Sequence, residues 1–194
     1  MTKEEIRANF RQRADLSEDD FRYFFQLVEE RKLKKNKLLV EQGSTAPVMA
    51  FVKDGCLMTY HEDQEKFKQV LQFGMPYWWT GDLETFSKGT GSLYSISTLL
   101  DSELYMLSAD AFNQLLVKAP AFERYFRILF QNALVTNQKR IIRNISFPAE
   151  ERYRTFVRNY PKLELIVPQK YIASYLGITP EFLSKMKKRM LKGE

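Results

Sequence analysis

Near its carboxyl end the chain spaces Thr179, Glu181, Ser184, Lys185 and Lys188 so that they share one side of a helix, with Leu183 and Met186 on the other. The polar side is a row of short hydrogen-bonding groups. Glu181 can accept a hydrogen bond from the amino group of cytosine, and Lys185 can donate to O6 and N7 of guanine. Thr179 and Ser184 can serve either kind of base edge. Glu181 also complements the positive end of a helix dipole, and the two roles are compatible. Lys187, Lys188, Arg189 and Lys192 follow, and Gln169 and Lys170 stand upstream. These are read as phosphate contacts, which add affinity and salt dependence but no sequence information.

The elements that would hold this row are legible around it. Ala173 is small enough to let two helices cross closely. Gly177, four residues later, can end the first helix in a left-handed conformation. Thr179 can cap the second helix, and Pro180 suits its first position. Ile172, Leu176, Ile178, Leu183 and Met186 supply a small apolar core. Two short helices around a tight turn make a helix-turn-helix, a unit whose second helix enters the major groove of duplex DNA. Phe182 on that helix either covers a thymine methyl or, the preferred expectation, packs into the domain.

Charge supports the assignment. Ten Lys and Arg against five Glu lie from Phe147 onward, so of a net +6 only +1 remains for residues 1–146. A basic segment of this kind is the electrostatic footprint of phosphate contact. With 194 residues, 44% hydrophobic and 14% aromatic, the chain can build an ordinary domain and a small one. No apolar run approaches the length of a membrane span, and Met1-Thr2-Lys3-Glu4-Glu5 does not read as a signal peptide, so a cytoplasmic protein is expected.

The sequence predicts three parts. Residues 1–108 form the first, with helices over 3–33 and a capping box at Ser17 and Asp20. Short runs rich in Val, Phe, Tyr and Ile follow, at 38–41, 48–53, 56–61, 66–73, 93–99 and 103–107, with Asp54-Gly55 as the best hairpin signal. Many short strands at regular spacing predict an antiparallel β-roll or barrel in an α+β chain. Residues 109–146 form the second part, a helical segment broken near Pro120. Phe122, Phe126, Leu129, Ala133, Asn137 and Ile141 fall three or four apart on it and predict a homodimer across the helix. Residues 147–194 carry the helix-turn-helix.

Roll, long helix and helix-turn-helix, in that order, resemble the Crp/Fnr (cyclic-AMP receptor and fumarate–nitrate regulator) family of bacterial transcription factors. The likeness rests on Gly43 after Leu38-Leu39-Val40-Glu41-Gln42, on Phe51-Val52-Lys53-Asp54-Gly55-Cys56-Leu57, on Gly81-Asp82-Leu83, and on Ala173, Gly177 and Glu181. It implies a jelly roll like that of cyclic-nucleotide-binding domains. It further implies a homodimer on a near-palindromic site in double-stranded DNA that acts on RNA polymerase. It places an effector pocket around Trp78, Trp79, Gly81, Asp82, Phe86, Ser92, Leu93 and Tyr94, unless that aromatic cluster simply fills the roll.

Two departures stand out. Nucleotide-binding members follow a Gly-Glu pair by an Arg about ten residues later that grips the cyclic phosphate. Here Gly81-Asp82 is followed by Ser92, and no Arg lies between Arg31 and Arg124. Without a forked guanidinium the pocket loses the strongest phosphate contact available to it, and no cyclic nucleotide cofactor is expected. Lys88 is the nearby cation that could substitute as a point charge. The family's β-hairpin wing after the second helix is also expected to be missing. A single histidine, His61, and a single cysteine, Cys56, argue against an enzyme, a zinc site, haem or an iron–sulfur centre. The rival reading is a ligand-sensing or cyclic-nucleotide-binding module that does not act through DNA.

Overall fold

The structure, a computed structural model, describes residues 1–45 and 48–192. Two helices lead the chain, α1 (Lys3–Arg11) and α2 (Glu18–Leu27), each opened by a capping box, Thr2 with Glu5 and Ser17 with Asp20. Eight strands follow: β1 (Glu29–Leu33), β2 (Leu38–Val40), β3 (Val48–Asp54), β4 (Leu57–Glu62), β5 (Lys68–Gly74), β6 (Trp79–Gly81), β7 (Ser95–Thr98) and β8 (Ser102–Ser108). A short helix, α3 (Leu83–Lys88), lies between β6 and β7. The strands form two four-stranded antiparallel sheets, ordered β1-β8-β3-β6 and β2-β7-β4-β5. This is the expected roll, with two packed sheets and no closed barrel.

Two local expectations are corrected. Glu29–Leu33 is a strand and not the end of a helix. Among the described residues it pairs with β8 alone and is largely exposed, so its charged Glu29-Glu30-Arg31-Lys32 run suits a sheet edge and shows no strand alternation. Asp54-Gly55 does not close a hairpin. It passes the chain from one sheet to the other, since β3 pairs with β6 and β8 while β4 pairs with β5 and β7. Gly55 (φ +98°) is required there, because a Cβ would meet Ser102 Oγ at 2.2 Å. The three-residue β6 is too short to show a period in the sequence.

Both faces of β4 are buried from Leu57 to Tyr60, so apolar side chains point to either side of it. Leu57 faces the space between the sheets with Val40, Val52, Ile96 and Leu104. Met58 and Tyr60 face the other way, toward the carboxyl-terminal helices. The first sheet packs against α1, α2, α4 (Ala109–Lys118) and the start of α5 (Ala121–Ser146). Phe10 is the hub of that layer, stacked on Tyr125 at 4.4 Å and edge-on to Phe51 at 5.2 Å. Trp79 Nε1 donates to Tyr125 Oη at 2.9 Å, so the one polar edge of the indole is satisfied inside the core.

Pro120 separates α4 from α5, and the expected stripe on α5 divides in two. Phe122 and Phe126 are buried in the chain's own core, which corrects their assignment to a dimer face. Leu129 is half-buried against the same core, while Ala133, Asn137 and Ile141 are exposed. Beyond Phe130 one side of the helix still borders the roll, where Arg140 Nη1 donates to Leu71 O, while Leu134 is 60%, Ile141 55% and Ile145 79% exposed.

Candidate functional site

After α5 come α6 (Ala149–Asn159), α7 (Pro161–Ile166), α8 (Gln169–Leu176) and α9 (Pro180–Lys192). The turn between α8 and α9 is built as the residue types demand. Gly177 takes φ +66°, ψ +40°, its amide donates to Ser174 O at 3.0 Å, and the Ile178 amide donates to Ala173 O at 3.1 Å. Thr179 Oγ1 accepts from the Phe182 amide at 3.1 Å and starts α9, with Pro180 at its first position. Ile172, Ala173, Leu176, Leu183 and Met186 are buried together with Tyr153, Phe156 and Leu163.

Leu183 is fully buried at the crossing of α8 and α9. Leu183→Ala should lower unfolding free energy by about 2–5 kcal/mol, the range for removing a buried leucine side chain. Urea unfolding of the full chain checks this. A loss below about 0.5 kcal/mol would contradict the packing assigned to it.

The outward side of α9 presents Glu181, Ser184, Lys185, Lys188 and Arg189, all exposed, with Thr179 exposed at its start. Phe182 lies among them at 44% exposure, which corrects the expectation that it packs inside. Lys187 also departs from expectation. Its ammonium binds Glu164 Oε1 at 2.7 Å and Gln169 Oε1 at 3.2 Å, while Tyr153 Oη donates to the same Glu164 oxygen at 2.9 Å. Lys187 and Gln169 therefore tie α9 to α7 and α8 and are not free for phosphate. The Lys187 hydrogen bond holds the Glu164 carboxyl below its ordinary range, against the opposing effect of burial. Lys170 is exposed beside the Tyr171 ring. The side chain of Lys192 lies outside the described residues.

Two more cations of this region have internal work. Arg152 Nη1 donates to Leu176 O at 2.6 Å, closing the end of α8, and Arg154 pairs with Glu150 at 2.7 Å. The whole unit is docked on the roll. Ser174 Oγ of α8 donates to Lys68 O at 2.8 Å and accepts from the Val70 amide at 2.9 Å, both on edge strand β5. Phe73 of β5 packs on Phe156 and Tyr175.

The pocket expected in the roll is a cleft of about 330 Å³ beside α5. Trp79, Gly81, Asp82, Leu93 and Tyr94 line it as anticipated. Trp78 does not; it turns to Tyr160, between α6 and α7, ring centres 5.7 Å apart. Phe86 packs edge-on against Phe112 instead. Ser92 is buried behind the cleft wall, where its hydroxyl donates to Asp82 Oδ2 at 2.6 Å. Asp82 also accepts from the Glu84 and Thr85 amides at 2.9 and 3.2 Å. Burial opposes its charge, but the Ser92 hydroxyl and these two amides outweigh that and hold the carboxyl below its ordinary range. The first amides of α3 are thus filled by the chain's own carboxylate.

No Lys or Arg is among the described residues lining the cleft, whereas Asp82 and Glu84 are. Lys88, the substitute considered from sequence, pairs with Glu84 at 3.2 Å on the surface. Elsewhere Cys56 is buried, and desolvation pushes its thiol up to about 12, so it is no nucleophile. Among the described residues no group of three or more His, Cys, Asp or Glu could hold a metal ion, and no helix is long and apolar enough to cross a membrane.

Fold and sites together define a roll of the cyclic-nucleotide-binding type joined through a long helix to a helix-turn-helix. Residues 30–119 match the family model described as cyclic nucleotide-binding domain. Over 191 residues the chain is 22% identical to the anaerobic regulatory protein of Haemophilus influenzae, spanning 91% of this chain and 73% of that one. Among solved structures, FixK2 from Bradyrhizobium japonicum matches with TM-score 0.74 at 16% identity, covering 86% of each chain. The c-di-GMP responsive regulator CLP of Xanthomonas campestris matches with TM-score 0.76 at 14% identity, over 91% of this chain and 93% of that one. The chain thus resembles bacterial regulators of the Crp/Fnr kind over most of its length, and the cyclic nucleotide-binding domain over residues 30–119.

Proposed function

We propose that the protein is a sequence-specific transcription regulator of the bacterial cytoplasm, binding a near-palindromic duplex as a homodimer and acting through RNA polymerase without a cyclic nucleotide. The observation that carries the DNA half is the polar side of α9, which stands exposed on a helix-turn-helix with a packed core. Glu181 and Lys185 are its base readers, with Thr179 and Ser184 beside them and Phe182 offering an apolar edge to a thymine methyl. Lys170, Lys188 and Arg189 meet phosphate. The free apolar side of α5, from Leu134 to Ile145, supports the dimer. A catalytic role has no support in the described residues, and the exposed face of α9 favours action through DNA over a purely ligand-sensing module.

The nucleotide half rests on charge. A cyclic phosphate entering the roll cleft would meet Asp82 and Glu84 with no Lys or Arg among the described lining residues, since Lys88 is paired with Glu84 on the surface, and two α3 amides are already bonded to Asp82. Two measurements test the proposal. Binding of a selected duplex should persist over excess competitor DNA and weaken steeply with salt. Cyclic AMP at about 1 mM should leave the melting temperature unchanged, whereas a ligand at 100 times its Kd would add about 2.7 kcal/mol of stability. A clear upward shift would overturn the nucleotide half and leave the DNA half standing.

A further inference from the structure

On the far side of the roll cleft, where β5, α5 and the helix-turn-helix unit meet, three arginines surround a small hollow. Arg140 and Arg143 of α5 and Arg152 of α6 line about 40 Å³ together with Thr155 and Asn159. Two of the three guanidiniums are anchored within the chain. Arg140 Nη1 donates to Leu71 O and Arg152 Nη1 to Leu176 O, while the Nε of both arginines is buried with no partner. Among the described residues none of the three arginines is ion-paired. Glu151 lines a neighbouring hollow with Arg143 and Arg152 but does not pair with them. A buried N–H left without an acceptor is costly, and an anion supplies acceptors to a cluster of guanidiniums.

The hollow opens into a larger cleft of about 250 Å³, and Thr136, Arg140, Tyr160 and Tyr175 line both. That cleft is walled by aromatic rings: Tyr77 and Trp78 from the roll, Tyr160 and Tyr175 from the carboxyl-terminal helices. The Arg140 guanidinium sits 5.1 Å from the Tyr175 ring centre, spanning the aromatic and cationic ends. Tyr77 holds its ring there at φ +73°, a conformation unfavourable for a bulky side chain, with its amide bonded to Val52 O at 2.9 Å.

We infer that this junction is a binding site for a small planar organic anion. Its ring would lie against Trp78, Tyr160 and Tyr175, and its carboxylate or phosphate would accept from Arg140, Arg143 and Arg152. A forked guanidinium suits either head group. The site takes residues from the roll, from α5 and from the helices that carry α9. An occupant therefore fixes the orientation of the DNA-reading unit on the roll, a consequence that rests on the DNA-binding reading, whereas the binding itself does not.

The full chain is titrated calorimetrically with 2-naphthoate and, separately, with the neutral 2-naphthalenemethanol, with tryptophan fluorescence followed in parallel. One saturable naphthoate site per chain is expected, with the alcohol at least about tenfold weaker. Arg143→Gln, which breaks no hydrogen bond within the chain, should weaken naphthoate about tenfold. Thr136→Trp, which fills the opening between hollow and cleft, should abolish binding with the melting temperature kept. No saturable heat up to about 1 mM, equal binding of acid and alcohol, or binding unchanged in both variants would overturn the site. DNA affinity measured with and without naphthoate separates the two claims. Binding without an effect on DNA removes the coupling alone, and failure to bind any duplex counts against the DNA-binding reading alone.

Discussion

Ile141→Glu should turn the protein from a dimer into a monomer at micromolar concentration. Ile141 lies seven residues after Leu134 and four before Ile145, on the later part of α5, and all three are more than half exposed. Such a row has no covering element among the described residues, and a two-fold copy of the same row fits it. Burying an aliphatic side chain contributes about 1.5–3 kcal/mol. In a two-fold interface one substitution acts twice, so about 3–6 kcal/mol is lost, or roughly a hundred- to ten-thousand-fold in the dimer dissociation constant. Sedimentation equilibrium checks this. Equal masses for wild type and variant would contradict the assignment of α5.

The second large effect lies on α9. Lys185→Ala should cost about 1–3 kcal/mol per half-site and relax the preference at one position, because a bidentate contact to guanine is lost. Both half-sites are affected, which compounds the loss in the dimer. Lys188→Ala should instead weaken every duplex by a similar factor and lower the salt slope by about one per protomer. Binding isotherms on the preferred duplex and on single-position variants distinguish the two. Identical, sequence-blind losses in both variants would remove Lys185 from the base readers.

The helix-turn-helix was legible because its constraints are local. A glycine for the left-handed turn, a threonine cap and a proline at the first position each act within a few residues. The roll was legible as a class but not in its wiring. Which sheet a strand joins is a long-range matter, so Asp54-Gly55 reads as a hairpin although it bridges two sheets. The edge strand Glu29–Leu33 has no apolar period to announce it, since among the described residues it pairs with β8 alone. On α5 the periodic stripe was real, but periodicity does not distinguish a helix's own core from a partner's. Phe122 and Phe126 went inward, and the exposed row begins at Leu134, a residue the stripe passed over.

The roll cleft shows the same division. Loss of the phosphate-gripping arginine could be read at Ser92, but not that Ser92 would close onto Asp82. Likewise the charge count could not reveal that Lys187 is held by Glu164 and Gln169. The arginine hollow was out of reach of sequence reading altogether, because its members come from α5 and α6 and are brought together by long-range contacts such as that of Arg140 with Leu71 of β5, 69 residues earlier.

Selection of preferred duplexes from a random pool by the purified full-length protein bears most directly on the reading of α9. A consensus with two-fold symmetry should emerge, and in Lys185→Ala it should lose preference at one base pair in each half while keeping the rest. A pool that stays random after repeated rounds, or enriches equally with a Glu181→Ala, Lys185→Ala double variant, would contradict it.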